Sequence, residues 1–265
     1  MKRRNYFLTL GLILSAAVFL FILVGYFWTP CDPMKMNGAI SSDPPSLAHP
    51  MGTDKFGRDI LSRVMRGAGA TFFVAFGTVA VGTLVGTVVG ALTGYFGGWL
   101  DEVLMRLNDA ISAFPSFLLA LVLVSLLGPG RTHLLLALGI VFIPSYARIV
   151  RTEFKRARTR NYVKSAQLMG ASTARILFVH ILPNIWTVLL SAITIGFNNA
   201  VLAEASMSYL GIGVSPDEAS LGYMLSDSQG YLEVTPWYAL SAGGVIVLLI
   251  LGVGLIGEGL QRRNL

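Results

Sequence analysis

Apolar residues along this 265-residue chain gather into six long runs, at roughly 6–28, 71–96, 103–127, 132–150, 179–203 and 236–258. An α-helix needs about 20 mostly apolar residues to cross a hydrocarbon core about 30 Å thick. The pattern therefore predicts an all-α membrane protein with six transmembrane helices. The third run is the least clean, because Arg106, Asn108 and Asp109 occupy its first turns. Gly128-Pro129-Gly130 makes a tight turn between the third and fourth runs, which are expected to lie antiparallel. Pro115 and Pro144 fall within or near spans and predict kinks or helix starts.

Basic residues set the expected orientation. With the N-terminus in the cytoplasm, the inner segments hold Lys2, Arg3, Arg4, Arg106, Arg148, Arg151, Lys155, Arg156, Arg158, Arg160, Lys164, Arg175, Arg262 and Arg263, fourteen of the 20 Lys and Arg. Lys35, Lys55, Arg58, Arg63, Arg66 and Arg131 remain outside. Positive residues accumulate on the cytoplasmic side, so both termini are expected there. Residues 1–28 then form the first helix, 29–70 an extracytoplasmic segment that turns amphipathic around Asp59–Met65, and 71–265 five further helices with a basic loop at about 151–178. The first run resembles a secretory signal in following Lys2, Arg3 and Arg4. A signal's apolar core would span about 7–15 residues and end in a small-x-small site. This run is longer and ends Tyr-Phe-Trp-Thr-Pro-Cys, so it reads as a retained helix.

Composition agrees. The chain is 54% hydrophobic and 13% charged, against about a quarter charged in soluble domains, and its mean hydropathy is +0.67. The net charge of +6 sits at the ends of apolar runs, which points to orientation in a bilayer and not to nucleic acid. The single Cys31 excludes an intramolecular disulfide and any multi-cysteine metal site, and no metal is expected. A second outer loop, about 204–235, carries Asp217, Glu218, Asp227 and Glu233 without Lys or Arg, which fits either a docking surface or a solvated loop.

Within the spans, Gly82, Gly86, Gly90, Gly94 and Gly98 recur every four residues and are expected to form one ridge where another backbone approaches closely. The ridge fits close packing within the chain, or an interface or pathway where helices slide. Asn198 and Asn199 are the polar groups at depth in the fifth span, and Glu204 lies toward its outer end. An acid near a span is a candidate contact for substrate or ion, although hydration is cheap close to an interface; the asparagines suit interhelical hydrogen bonds. His49, His133 and His180 are scattered, and neither His-Glu-x-x-His nor Gly-x-Ser-x-Gly occurs, which argues against a membrane-embedded enzyme. A self-sufficient channel or secondary transporter would show mid-membrane charges or inverted halves, and neither pattern is visible.

The basic loop holds the most informative residues. Tyr162, Val163, Ala166, Leu168 and Met169 give a short amphipathic helix, Gly170 stops it, and Ser172 or Thr173 caps the next. Such a helix suits a groove on a soluble partner or the lipid surface equally well. Tyr162–Asn184 resembles the coupling-loop signature of binding-protein-dependent ABC importer permeases, with Ser165 and Ala166 at the two alanine places, Gly170 at the glycine place, and Lys164 where a Glu is usual. His180-Ile-Leu-Pro-Asn184 also matches. His49–Arg63, Gly94–Asp101 and Leu202–Gly213 resemble the dipeptide, oligopeptide and nickel branch, and the whole is most similar to its C-type permeases. The first of these segments includes Gly52, Thr53, Asp54, Gly57, Arg58, Asp59 and Arg63.

The resemblance implies a type I ABC importer permease fold with the coupling helix, Tyr162–Ala171, between spans four and five. It implies half of a pore in the cytoplasmic membrane of a bacterium or archaeon, importing di- or oligopeptides, or alternatively nickel or a metal chelate. The implied partners are a second, B-type permease, two cytoplasmic ATPase subunits and an extracytoplasmic solute-binding protein, with no nucleic acid. No cofactor is expected on this chain: ATP and Mg belong to the ATPase subunits, since no phosphate-cradling Gly-x-x-x-x-Gly-Lys-Ser/Thr loop occurs and no Lys follows a Gly. Arg58, Asp59 and Arg63 are expected to pair with one another or with the second permease, as bracing in preference to substrate contact.

Overall fold

The computed structural model describes residues 6–215 and 218–262; Lys2, Arg3, Arg4, Asp217 and Arg263 lie outside the described residues. The described chain is helical, and its only β-type pairing is an isolated bridge between Thr53 and Asp59. Five helical runs are long and apolar enough to span a membrane: α1 (Tyr6–Phe27), α2 (Ile60–Phe96), α5 (Arg131–Arg158), the continuous stretch Thr173–Tyr209, and α10 (Pro236–Arg262).

The second span begins eleven residues earlier than its apolar run. Asp59 caps α2 by accepting from Ser62 N at 2.8 Å, and Ile60, Val64 and Ala68, one turn apart, are fully buried. The amphipathic stretch is therefore the opening of a 37-residue helix, about 55 Å long at 1.5 Å per residue. Gly97, at φ 67°, ends it by donating its N–H to Thr93 O at 3.1 Å.

The third span is not one helix. It divides into α3 (Gly98–Ser112) and α4 (Ser116–Leu127), bent by 86°. Pro115 stands at the N-cap of α4, where its ring disfavours helical geometry in Phe114 and its missing N–H breaks the ladder. The 12 residues of α4 reach about 18 Å, too short to cross alone. Among the described residues the count is five full spans, or six if the bent pair is one. Gly128 and Gly130, at φ 88° and 142°, turn the chain back into α5, which packs against α4 around Val124, Leu134 and Leu138 as expected. Pro144 lies buried inside α5.

Beyond α5 come α6 (Asn161–Leu168) and then α7 (Thr173–Arg175), which opens the fifth span. That span starts irregularly: Ile176–Ile181 is π-helical and Leu182–Ile185 is 3₁₀ before α8 (Trp186–Tyr209) becomes regular. Pro183 has no N–H to offer the preceding turn, which accounts for the changed hydrogen-bond spacing. Ser220 caps the short α9 (Leu221–Ser228) through Tyr223 N. A main core joins α1, α2, α5, α8 and α10 around Val64, Val150, Phe154, Phe197 and Ile246. Large apolar side chains such as Phe76, Leu84 and Leu251 point outward, as a lipid-facing surface requires.

Candidate functional site

The α6 segment is a helix held on one face and bare on the other. Val163 and Ala166 are buried, whereas Tyr162, Lys164, Ser165, Leu168, Met169 and Gly170 are exposed. Leu168 and Met169 are 90% and 79% accessible. The helix closes with Gly170 N donating to Gln167 O and Ala171 N to Ala166 O, both at 3.0 Å. These two bonds make a Schellman motif with Gly170 at φ 75° in the left-handed position that favours glycine. Ser172 then caps α7 by accepting from Arg175 N, so stop and restart fall at the expected residues. Half-buried Ala171 packs on the main core, and Gln167 Nε2 donates to Tyr95 OH at 3.2 Å, tying α6 to the end of α2.

Four of the five ridge glycines lie against α5. A methyl on Gly86 would sit 2.6 Å from Tyr146 Cβ, on Gly90 2.5 Å from the Ala147 carbonyl oxygen, and on Gly94 2.5 Å from that of Arg151; on Gly82 it would touch Phe142 Cβ at 3.0 Å. The ridge thus serves packing within the chain. Gly98 is not part of it. Gly97 has already ended α2, and a side chain at Gly98, φ 59°, would meet nothing within 4 Å. Arg151 also holds α3 down, donating from Nε and Nη2 to the two carboxylate oxygens of Asp101 at 2.5 and 2.6 Å.

At the opposite end of α2, the His49–Arg63 segment is a buried ionic network. Asp54 is fully buried and accepts from Phe56 N and Arg58 N at 2.9 Å and from Arg58 Nε at 2.6 Å. Arg63, also fully buried, lies 3.7 Å from Asp54 and donates to Pro33 O at 3.2 Å. Asp227 of α9 closes the network, 3.5 Å from Arg58 and 2.7 Å from Lys55. That hydrogen bond raises the Lys55 pKa, against the opposing effect of burial. Lys55, Arg58 and Arg63 thus meet two carboxylates, Asp54 and Asp227, within the network. Asp59 pairs with neither Arg58 nor Arg63; its carboxylate caps α2 and meets His49 Nδ1 at 2.9 Å. Gly52 and Gly57, at φ 72° and 69°, make the tight turns, with Gly57 against the Asn37 carbonyl. The Thr53 hydroxyl donates to Ile40 O.

Glu204 is fully buried, contrary to the expectation that an interfacial position keeps it hydrated. Ser208, one turn on, donates to its Oε1 at 2.8 Å, and Thr71 of α2 faces the carboxyl. Asn198 and Asn199 separate. Asn198 points toward Gly254 of α10, whereas exposed Asn199 lines a cavity of about 410 Å³ among α4, α5 and α8, with Phe117, Phe142, Ser145, Tyr146 and Ala203 on its walls.

The sequence model of the binding-protein-dependent transport system inner membrane component family matches residues 86–264. The chain belongs to this family. Among relatives of these inner membrane components, the dipeptide transport system permease protein DppC of Haemophilus influenzae is 37% identical over 258 residues, covering 95% of this chain and 88% of that protein. DppC of Alkalihalophilus pseudofirmus is 35% identical over 259 residues, 98% and 85% of the two chains. The di/tripeptide transport system permease protein DppC of Pseudomonas aeruginosa is 33% identical over 257 residues, 95% and 85%. The MetNI methionine ABC transporter in inward-facing conformations shares the fold, with a TM-score of 0.60 at 22% identity over 76% of this chain and 94% of that one. This transport-system component is thus a multi-pass membrane protein with an ABC importer permease fold.

Asp227 and Lys55 were not legible as site residues. Asp227 is one acid in a loop of several, and only the fold of α9 against the start of α2 brings it to Lys55 and Arg58. Tyr146 was equally silent: it occupies the space left by Gly82, Gly86 and Gly196 and faces the cavity. A glycine ridge announces a close neighbour without saying which helix supplies it.

Proposed function

We propose that this chain is the translocation subunit of an ATP-driven importer of di- or oligopeptides, in the cytoplasmic membrane of a bacterium or archaeon with both termini inside. One observation carries the reading: α6 is anchored by Val163 and Ala166 and presents Leu168 and Met169 to solvent. A helix so mounted is a knob for a groove on another protein, and the exposed Arg156, Arg158, Arg160, Lys164 and Arg175 around it suit the cytoplasmic side. Two ATPase subunits supply the nucleotide and Mg, and the closing of one groove moves α6. The chain pairs with a second permease, and the Asn199 cavity faces the shared path. An extracytoplasmic binding protein delivers the cargo to the end that carries the ionic network. The peptide relatives support the cargo class.

Movement of α6 re-packs spans between inward- and outward-open arrangements, and the π and 3₁₀ turns of Ile176–Ile185 are the irregular backbone that accommodates it. The test is uptake of a labelled dipeptide into proteoliposomes holding this chain, its second permease and the ATPases. Accumulation should require ATP on the α6 side and binding protein on the other. Uptake by the permease pair without ATPase subunits would overturn the proposal in favour of a channel or secondary carrier.

A further inference from the structure

Where the chain leaves α1 and returns to start α2, three side chains with metal-ligating atoms converge. The thiol of Cys31, a ring nitrogen of His49 and a carboxylate oxygen of Asp59 lie within 4.8 Å of one another. Ligands of a tetrahedral zinc ion, at bond lengths of about 2.0–2.3 Å, stand roughly 3.3–3.8 Å apart. The His49 Nδ1 to Asp59 Oδ1 separation of 2.9 Å needs to widen slightly, and the thiol, within 4.8 Å of both, needs to close in by no more than about an ångström.

The three are held by a common frame. Ser62 donates both its backbone N–H and its hydroxyl to Asp59 Oδ2, at 2.8 and 2.6 Å, which leaves Oδ1, now against His49 Nδ1, as the oxygen not engaged by Ser62. The same Ser62 Oγ accepts the backbone N–H of Cys31 at 3.0 Å. His49 is fixed in its turn by Ser46 N and Gly52 N, which donate to its carbonyl at 2.9 and 2.8 Å. Ligand orientation fixed by such outer hydrogen bonds is what a metal site requires. The side chain of Asp59 is 1% accessible and that of His49 19%, so the cluster has a closed base and one open side.

We propose that Cys31, His49 and Asp59 form a three-ligand site for a divalent cation of the zinc class, which pins the segment after α1 to the first turn of α2. Thiolate, imidazole and carboxylate together are a borderline donor set that suits zinc. On binding, the Cys31 thiol gives its proton to solvent, and thiolate and carboxylate neutralise the ion. The open side leaves a fourth position for water. Cys31 is the chain's single cysteine, so no disulfide within the chain competes for it. The proposal stands apart from the transport reading, since it concerns only how this end is held.

The full chain, purified in detergent and stripped with EDTA, is titrated with Co²⁺, whose bond to a thiolate gives a near-ultraviolet charge-transfer band. One Co²⁺ per chain is expected, with the band displaced by Zn²⁺ and abolished in Cys31→Ser. His49→Ala should weaken affinity by at least the 10–100-fold that loss of a supporting group costs, about 100-fold or more. Zn²⁺ should raise the melting temperature of the wild type and leave Cys31→Ser, which differs by one atom, unmoved. A wild type without the band, a band that survives Cys31→Ser, or an equal Zn²⁺ effect on both proteins would each overturn the site.

Discussion

Leu168→Asp and Val163→Ala, made on opposite faces of the same short helix, should separate transport from stability. Val163 is fully buried, and its truncation removes two buried carbons. At about 0.8 kcal/mol each plus a cavity term, the cost is about 2–3 kcal/mol of folding stability. Leu168 is 90% accessible, so Leu168→Asp should change stability by no more than about 0.5 kcal/mol. If Leu168 fills a pocket on an ATPase subunit, however, the change forfeits about 2 kcal/mol of apolar burial and places a carboxylate in an apolar pocket at a further cost of about 2 kcal/mol. Association then weakens on the order of 10³-fold. Melting of the purified chain, co-purification of the ATPases and ATP-dependent uptake read the three quantities. Leu168→Asp should melt normally, lose the ATPases and fail to transport, while Val163→Ala should melt lower and retain both functions at low temperature. Normal transport by Leu168→Asp with the ATPases in place would refute the assignment of this face.

Three further outcomes follow from other parts of the molecule. Gly170→Val forces a β-branched residue to the φ of 75° at the close of α6, at about 1–2 kcal/mol or more; uptake should be lost while the amount of chain in the membrane, measured by blotting, stays normal. Gly90→Leu drives a side chain into the Ala147 carbonyl and Val150, and overpacking of about 1–3 kcal/mol should appear as a lower melting temperature, whereas Gly244→Ala, whose added methyl would meet nothing within 4 Å, should leave it unchanged. Lys55 has a raised pKa through its bond to Asp227, so the pair's contribution is complete below the ordinary value of 10.5 and fades only as pH climbs through the higher folded value. The stability difference between wild type and Lys55→Met, from denaturant titrations, should therefore be level around neutrality; a difference already shrinking there would contradict the pairing.

The helical character and the α6 turn were legible because they depend on local chemistry. Gly170 and Ser172 act within one turn of themselves, and neither needs a distant neighbour to be understood. The early start of α2 was not legible, because Ile60–Met65 is too polar to count as a span and becomes helical through burial of Ile60 and Val64. Regular spacing misled at Gly98: the interval of four continues past Gly97, whose left-handed backbone has already ended the helix. Pro115 signals a kink or start, but nothing around it fixes a bend of 86° or an α4 half the length of a span. The place of Glu204 along its helix does not reveal which way it faces, and it faces Thr71 and Ser208. Asp227 matters only through residues about 170 positions earlier in the chain.

The glycine contacts of α2 with α5 have a mechanical consequence. From Gly86 to Gly94 backbone meets backbone over three successive turns, which leaves little side-chain cushion to be squeezed and favours the two helices travelling together as a stiff beam. One end of that beam hands directly to α6 across Thr159 and Arg160; the other is bolted through Arg63, Asp54 and Arg58 to Asp227 of α9. On the function proposed above, a push on the bare leucine would reach the far face as a tilt of the whole girder.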